Sequence, residues 1–355
     1  MAASTPLLEP MPPWLDATWL RLREAHRHAR LGQALLISGP LGVGKRLLAD
    51  HFARLLFCTA PDADGNPCGT CADCHLLATG HHPDRLLLEP DADGASGEIR
   101  AEQVRQLCAR ETLTPMRGAT KVLMVVPADA MNLFAANSLL KTLEEPVEST
   151  VWMLITEQPQ RLSQTIRSRC QQINLTSPPA TQALPWLESR LLSQGASTVF
   201  PAAHAGSEGP AEPAARCLAL AQGAPLRALA LAETGALEQR QRLLDDLINV
   251  ARGERDPLAV ANDWQRHEPS LALGAMIDGL MDVLRLAVDP TGARIINLGA
   301  RDALAALVAQ TELVAAHRLL QILLQARASI DAPLNRQILF EALLVRWACL
   351  ARSAT

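Results

Sequence analysis

The stretch "ALLISGPLGVGKR", residues Ala34 to Arg46, decides how the first half of the chain is interpreted. Its apolar start predicts a buried strand, and the glycines that follow predict a tight turn into a helix that starts near Lys45. A loop between a strand and a helix cradles phosphate with its backbone N–H groups. The P-loop pattern is Gly, four residues, Gly, Lys and then Ser or Thr. Gly39, Gly44 and Lys45 fit that pattern, whereas Arg46 occupies the hydroxyl position.

Two groups that a magnesium-dependent ATPase needs are missing. The candidate nucleotide-binding residues are Gly39, Gly42, Gly44 and Lys45. The hydroxyl after the lysine would ligate Mg²⁺, which an arginine cannot do because it only donates hydrogen bonds. An acidic residue is also needed at the end of another strand, but "KVLMVVPADAM" has Val126 and Pro127 there and reaches Asp129 only after the proline. We expect no ATP hydrolysis by this chain, while nucleotide binding through Lys45 stays open.

The composition is that of a soluble globular protein of two or three domains, with 355 residues, 48% hydrophobic and 20% charged. No apolar run reaches the roughly 18 residues that span a bilayer, and the first residues lack the pattern of a signal peptide. We therefore expect a cytoplasmic protein with no membrane contact. The net charge is −4, so any contact with nucleic acid must come from a local basic patch. The chain has six Trp, five Phe and no Tyr, which argues against a base-stacking surface for single strands.

Four more short apolar runs predict buried strands, each separated from the next by sequence of helical character. They are 85–89, 121–126, 151–156 and 171–175. Strands buried on both faces with crossover helices predict a parallel α/β sheet. The stretch "NLFAANSLLKTLEEP", 132–146, predicts a helix that buries Ala136, Leu140 and Leu143 and stops at Pro146.

The pattern changes after the fifth strand. "TSPPAT", 176–181, indicates a domain boundary, and 195–213 has the composition of a mobile loop. From about Leu237 onward the chain is rich in Leu and Ala with helical spacing and no strand signal, which predicts an all-helical domain. We expect an α/β domain over 1–178, a small helical domain over 179–236 and a helical domain over 237–355.

Four of the eight cysteines lie together, and the other four are isolated. Cys58, Cys68, Cys71 and Cys74 have the spacing C-x9-C-x2-C-x2-C. Four close thiolates favour a structural, tetrahedral Zn²⁺; two disulfides, an iron–sulfur cluster, or a ligand from His75, His81 or His82 are alternatives. In a reducing compartment the isolated residues are predicted to be small buried apolar groups. They are Cys108, Cys170, Cys217 and Cys349.

Three features together resemble the clamp loader of bacterial DNA polymerase III, a family of AAA+ proteins. They are "NSLLKTLEEP" at 137–146, the triplet Ser168-Arg169-Cys170, and the degenerate P-loop with the cysteine cluster after its helix. The resemblance has specific motifs over about 20–180, while the helical C-terminal region fits only in character. It implies an AAA+ P-loop-type domain with a zinc module at 58–74, a helical lid over 179–236 and a helical collar over 237–355 that assembles a pentamer.

The resemblance also implies residue roles. Arg169 matches the family's arginine finger, which reaches into the ATP site of a neighbouring subunit. The four cysteines match the family's zinc site. Leu226 stands where hydrolysing members carry a nucleotide-sensing Arg, and Arg227 is one step away. With the two metal-site losses, this is similar to the non-hydrolysing class of subunit, a rigid stator that serves a neighbour's ATP.

The implied partners are the gamma/tau and delta subunits, the sliding clamp, and primer–template DNA reached through the complex. The chain would be part of the polymerase holoenzyme without polymerase or ATPase activity of its own. Arg100, Arg105 and Arg117, in a basic segment with Arg110 and Lys121, are candidate phosphate contacts, and a solvated helix face is an equal alternative. Two other functions stay open: an active ATPase of the gamma/tau class, and a zinc-stabilised DNA-binding protein unrelated to clamp loading.

Overall fold

Five parallel strands form one sheet in the first half of the chain. The computed structural model describes residues 10–91, 97–193, 211–234, 236–330 and 335–350. The strands are β1 (Ala34–Ser38), β2 (Arg85–Leu88), β3 (Lys121–Val125), β4 (Thr150–Thr156) and β5 (Gln171–Asn174). Their order across the sheet is β2-β3-β4-β1-β5, and every neighbouring pair is parallel. The predicted parallel sheet is therefore confirmed.

Burial explains why these runs form strands. Every residue of β1, β3 and β4 is buried, as expected for central strands covered on both faces. β5 lies at an edge and buries only Ile173 among its four residues. The parallel register brings the carboxyl ends of β1, β3 and β4 to one edge, where the Gly-rich turn leaves β1.

Six α-helices lie among the described residues of the part of the chain that contains the sheet. They are α1 (Asp16–Arg27), α2 (Lys45–Phe57), α3 (Ala72–Ala78), α4 (Ala101–Glu111), α5 (Leu133–Glu144) and α6 (Gln164–Arg169). In α5 the Asn132 side chain accepts a hydrogen bond from Ala135 N–H and starts the helix.

The buried face of α5 differs by one position from the sequence prediction. Ala135, Leu139 and Leu143 are buried, whereas Ala136 and Leu140 are only partly buried and pack at the margin of the same core. Both sets have helical spacing and both are apolar. The pattern alone therefore did not decide which stripe faces the sheet.

In its described residues the second part of the chain contains helices and connecting turns but no strand. Its helices are α7 (Ala180–Ser193), α8 (Ala211–Leu220), α9 (Pro225–Glu233), α10 (Ala236–Arg252), α11 (Pro257–Trp264), α12 (Pro269–Val288), α13 (Arg301–Val308), α14 (Leu313–Ala328) and α15 (Arg336–Leu350). Trp264 packs edge-on against Phe340, and both are fully buried in its core. The predicted all-helical region is confirmed for these residues.

The chain divides into two compact units, Met1–Gln182 and Ala183–Thr355. The further division of the second unit at 236 stays a prediction. Of the predicted loop at 195–213, residues 195–210 lie outside the described residues, and α8 begins at Ala211. No helix in the described ranges is long and apolar enough to cross a membrane.

The isolated cysteines only partly follow the prediction. Cys170 and Cys217 are buried, and burial raises the pKa of each thiol to about 11. Cys108 is half-buried. Cys349 is exposed on α15, so the prediction that it is a buried apolar group was wrong. The cause is its place on the outward face of a helix that is apolar on several sides.

Candidate functional site

The Gly-rich turn after β1 is shaped by close contact with the end of β5. Gly39 has a φ of 151°, and a Cβ built there would lie 2.3 Å from the carbonyl oxygen of Leu175. Leu175 N–H in turn donates to the Ser38 carbonyl at 2.7 Å. Gly44 has a φ of 100° immediately before α2. Glycine is required at both positions because a side chain would be strained at either and would clash at Gly39.

Lys45 is the first residue of α2, and its ammonium group binds to the backbone of this loop. Its side chain is buried, and its Nζ donates hydrogen bonds to the carbonyls of Gly39 at 2.9 Å and Pro40 at 2.7 Å. Glu157 Oε1 lies 3.7 Å from the same nitrogen. Burial lowers the pKa of Lys45, and the negative charge of Glu157 partly opposes that shift. The ammonium is thus held by acceptors of the protein itself.

Arg46 is bound to carboxylates of the protein. It forms an ion pair with Glu89, which directly follows β2, and its Nε lies 3.7 Å from Asp50 Oδ2 one turn along α2. Asp50 also pairs with Arg85 at 2.5 Å. Where an ATPase has a hydroxyl that ligates Mg²⁺, this chain has a fixed cation in a network of four charged side chains.

The end of β3 carries no acidic residue, but a short turn brings one back to the same edge of the sheet. Val126 and Pro127 follow the strand, and the peptide bond between them is cis. Ala128–Ala130 then forms a single 3-10 turn. Within that turn, Asp129 accepts a hydrogen bond from the hydroxyl of Thr156, the last residue of β4. Its carboxylate also acts electrostatically on Lys45.

Sequence reasoning found Lys45, Arg46 and Asp129 but missed Thr156, Glu157 and Glu89. These three lie at or just beyond the ends of strands β4 and β2. Carboxyl ends of parallel strands meet at one edge of the sheet. The polar residue after each predicted strand was therefore the available signal.

The four clustered cysteines are close enough to hold one metal ion. Their sulfur atoms all lie within 4.8 Å of one another, and Cys58 Sγ is 3.5 Å from Cys68 Sγ. A tetrahedral site with Zn–S bonds of about 2.3 Å separates the sulfurs by about 3.8 Å, so the arrangement fits such an ion. In the described ranges the group contains the four thiols and none of the histidines considered as alternatives.

Local structure presents these sulfurs together. Cys58 follows the last residue of α2, Cys71 caps α3, and Cys74 lies in the first turn of α3. Backbone N–H groups of Thr70 and Cys71 donate to Cys68 Sγ and lower the pKa of that thiol to about 6. Burial raises the pKa of Cys74. Metal binding requires all four cysteines as thiolates. A bound cation would supply the positive charge that stabilises the thiolate of the buried Cys74.

The basic residues of the segment before β3 are used in different ways. Arg117 Nε pairs with Asp73 Oδ1 at 2.6 Å, which ties it to the cysteine loop. Arg105 is exposed and pairs with Glu102 at 2.8 Å, while Arg100 is exposed directly before α4. Lys121 is buried, and its Nζ donates to carbonyls at the end of α4, including that of Arg110 at 2.8 Å. Lys121 therefore supports the fold and offers no charge to a ligand.

Arg169 is the last residue of α6 and lies on the surface. Its Nη2 is 2.5 Å from Glu144 Oε1, and its Nη1 donates to the Thr165 carbonyl at 3.0 Å. The side chain of Arg169 is 32% exposed, and that of Glu144 is 49% exposed. Cys170, which completes the triplet, is buried. The contact with Glu144 was not predicted from the sequence, although Glu144 lies in the stretch 137–146 on which the family resemblance depends.

The candidate sensor position lies in the first turn of α9. Leu226 is half-buried there, and Arg227 is exposed. Adjacent helical residues point about 100° apart, which accounts for their different surroundings.

Comparison with known proteins relates both units to one family. Residues 15–179 match the family described as "DNA polymerase III, delta subunit", and residues 234–348 match "DNA polymerase III, delta subunit, C terminal". The chain is 37% identical over 349 residues to the DNA polymerase III subunit delta' of Pseudomonas aeruginosa, covering 95% of this chain and 97% of that protein. The similarity therefore extends over nearly the full length of both proteins.

Two further comparisons give a shorter sequence match and a more distant structural match. The chain is 30% identical over 270 residues to the DNA polymerase III subunit tau of Salmonella typhimurium, covering 76% of this chain and 36% of that protein. Among solved structures, a DNA polymerase III gamma subunit-related protein of Thermotoga maritima aligns with 96% of this chain and 100% of its own at 17% identity and a TM-score of 0.45.

Proposed function

The chain belongs to the family of DNA polymerase III delta' subunits, and from this premise we propose that it is the clamp-loader subunit that does not hydrolyse ATP. It would act as a rigid stator in a hetero-pentamer with gamma/tau and delta subunits. The pentamer opens a sliding clamp and places it on primed DNA during replication in the cytoplasm. The helices over 237–355 would form the collar of that assembly, and those over 179–236 the lid.

One observation carries the loss of hydrolysis. At the position that should ligate Mg²⁺, Arg46 forms an ion pair with Glu89. A second metal-binding group is also missing, because Val126 and Pro127 end the strand that should supply a carboxylate. Lys45 Nζ supports the same conclusion, because two of its three N–H groups already donate to the Gly39 and Pro40 carbonyls.

The chemistry that remains is proposed to lie at Arg169. A guanidinium stabilises the charge that develops on a transferred γ-phosphoryl group, and a neighbouring subunit can supply it. The side chain of Arg169 is partly exposed and held by one carboxylate and one carbonyl, both within reach of solvent. It would therefore serve the ATP bound by the adjacent gamma/tau subunit.

The cysteine cluster is proposed to hold one structural Zn²⁺ through Cys58, Cys68, Cys71 and Cys74. Four thiolates close the coordination shell, so the ion would fold the loop without catalysing a reaction. Metal analysis of the purified chain should give one zinc per chain. A fully folded protein that contains no metal, or one that contains iron and sulfide, would contradict this assignment.

Arg100, Arg105 and Arg117 are proposed as contacts to the phosphates of primer–template DNA within the assembled complex. Such contacts are independent of sequence and weaken as salt rises. Replacing the exposed pair Arg100 and Arg105 by Ala should reduce the slope of log affinity against log salt for the complex by up to about two. An unchanged slope would exclude these two residues.

Reconstitution tests the proposed function as a whole. The purified chain is expected to release no phosphate from ATP. It should form a complex with the gamma/tau and delta subunits of its own organism, and that complex should load the clamp on primed DNA. Phosphate release by the isolated chain that Lys45→Ala abolishes would instead identify an active ATPase. Failure to assemble, together with tight and salt-sensitive DNA binding by the chain alone, would favour an unrelated DNA-binding protein.

A further inference from the structure

Glu144 is the side chain that holds Arg169 in this structure. It is the last residue of α5, and its Oε1 lies 2.5 Å from Nη2 of Arg169, the last residue of α6. The two residues are 25 positions apart, so the contact depends on how α5 and α6 pack and not on a local turn. α5 and α6 are adjacent helices that share one hydrophobic core through Leu139 and Ile166.

The position of Glu144 in its helix is electrostatically unfavourable. The carboxyl end of a helix carries partial negative charge and favours cations. Here Glu144 ends α5, and Glu145 is the next residue. Two carboxylates at this end repel both the helix end and each other, and Arg169 offsets that repulsion. Proteins break such local preferences mainly at functional sites, so the placement of Glu144 opposite Arg169 points to a function for the pair.

Arg169 shows the opposite arrangement. A cation at the end of α6 is favourable, and Nη1 also donates to the Thr165 carbonyl one turn earlier. Two of the five guanidinium N–H groups are therefore engaged within the same chain. The charge is neutralised by Glu144. An incoming phosphate and the Glu144 carboxylate are both anions, so they would compete for the guanidinium.

We propose that Glu144 is a positioning residue that latches Arg169 inside its own subunit. The latch opens when the guanidinium leaves the Glu144 carboxylate and binds a phosphate in the neighbouring subunit. This inference rests on the proposed finger role of Arg169. Glu144 touches no nucleotide and acts only through Arg169. The latch keeps the finger withdrawn in a complex that has not met the clamp and DNA, and so limits unproductive ATP hydrolysis.

The strength of the contact sets the size of the effect. Exposed ion pairs contribute at most about 1 kcal/mol, which corresponds to about a fivefold change in an equilibrium. Glu144→Gln keeps the size of the side chain and removes its charge. In the reconstituted complex without clamp and DNA, this substitution should raise ATP turnover by about two- to fivefold. Glu144→Asp should stay closer to the wild-type rate because it keeps the charge.

Two controls separate the latch from a general effect of charge or folding. Glu145→Gln removes the same charge one residue further along and should leave turnover within experimental error. The double variant Glu144→Gln/Arg169→Ala should have the turnover of Arg169→Ala alone, since a latch without its finger has no effect. The increase with Glu144→Gln should also shrink as salt rises from low to high concentration, because screening weakens the wild-type pair.

The outcomes distinguish the latch from the finger itself. If Arg169→Ala lowers turnover and Glu144→Gln raises it, both proposals are supported. If Arg169→Ala lowers turnover while Glu144→Gln leaves it unchanged or lowers it, the latch is overturned and the finger stands. If Arg169→Ala has no effect on a complex that assembles, the finger is overturned and the latch falls with it. Equal increases with Glu144→Gln and Glu145→Gln would also overturn the latch.

Discussion

Lys45 and Arg169 are two cationic side chains that differ in how easily a ligand could reach them. Lys45 is 6% exposed and donates to two loop carbonyls, whereas Arg169 is partly exposed and paired with one surface carboxylate. Removing a buried donor leaves its acceptors unsatisfied at about 1–3 kcal/mol, while breaking an exposed ion pair costs at most about 1 kcal/mol. The loop cation is thus committed to the fold, whereas the surface cation can exchange its carboxylate partner for a ligand at a small cost in free energy.

The largest expected effect on stability is at Gly39, because the Gly-rich turn after β1 packs against Leu175. Gly39→Ala forces a Cβ to within 2.3 Å of the Leu175 carbonyl oxygen at a φ of 151°. Backbone strain and overpacking together should lower the free energy of unfolding by about 2–4 kcal/mol. Chemical denaturation of the purified chain measures this difference.

Gly80 provides the matched control for Gly39. It also has a positive φ, 76°, but a Cβ there would meet nothing within 4 Å. Gly80→Ala should therefore show the cost of strain alone, about 1 kcal/mol. Equal losses at the two positions would mean that the contact between the loop and β5 adds nothing.

A smaller loss is expected when the buried ammonium is removed. Lys45→Met keeps most of the side-chain volume but leaves the Gly39 and Pro40 carbonyls without their donor. The free energy of unfolding should fall by about 1–3 kcal/mol. The same substitution at the exposed Lys141 on α5 should change stability by less than about 0.5 kcal/mol. If the two substitutions had equal effects, Lys45 would not be part of the structural loop, and the contrast with Arg169 would fail.

The smallest effect is expected at Arg46. Arg46→Ser restores the hydroxyl of the P-loop pattern and removes an exposed ion pair with Glu89, so stability should change by no more than about 1 kcal/mol. No ATPase activity should appear, because the end of β3 still lacks a carboxylate. Magnesium-dependent phosphate release by this variant would show that the loop is closer to an active site than its contacts indicate.

The sequence was sufficient for the sheet and for the cysteine cluster. Each of the five strands begins and ends within about one residue of its predicted range. For the three fully buried strands, β1, β3 and β4, the reason is that such a strand is a short apolar run between polar boundaries. The cysteines were identified by spacing, which places four sulfurs within reach of one ion.

The ion pairs of the site were not predictable in the same way. Arg46 meets Glu89 across 43 positions of sequence, and Arg169 meets Glu144 across 25. No local pattern marks such partners, since they depend on which strand ends and helix ends become neighbours. The buried stripe of α5 was off by one residue for a related reason: two adjacent apolar stripes were available, and packing against the sheet selected one.

The central claim is that ATP chemistry in the complex depends on Arg169 and not on Lys45. A single-turnover assay of ATP hydrolysis by the reconstituted complex, with clamp and primed DNA, compares Arg169→Ala with Lys45→Met. We expect Arg169→Ala to slow hydrolysis at the receiving site by about 10³-fold, which reduces the amplitude of the fast phase. Lys45→Met should change the rate by less than about twofold. A complex slowed by Lys45→Met and indifferent to Arg169→Ala would contradict the central claim.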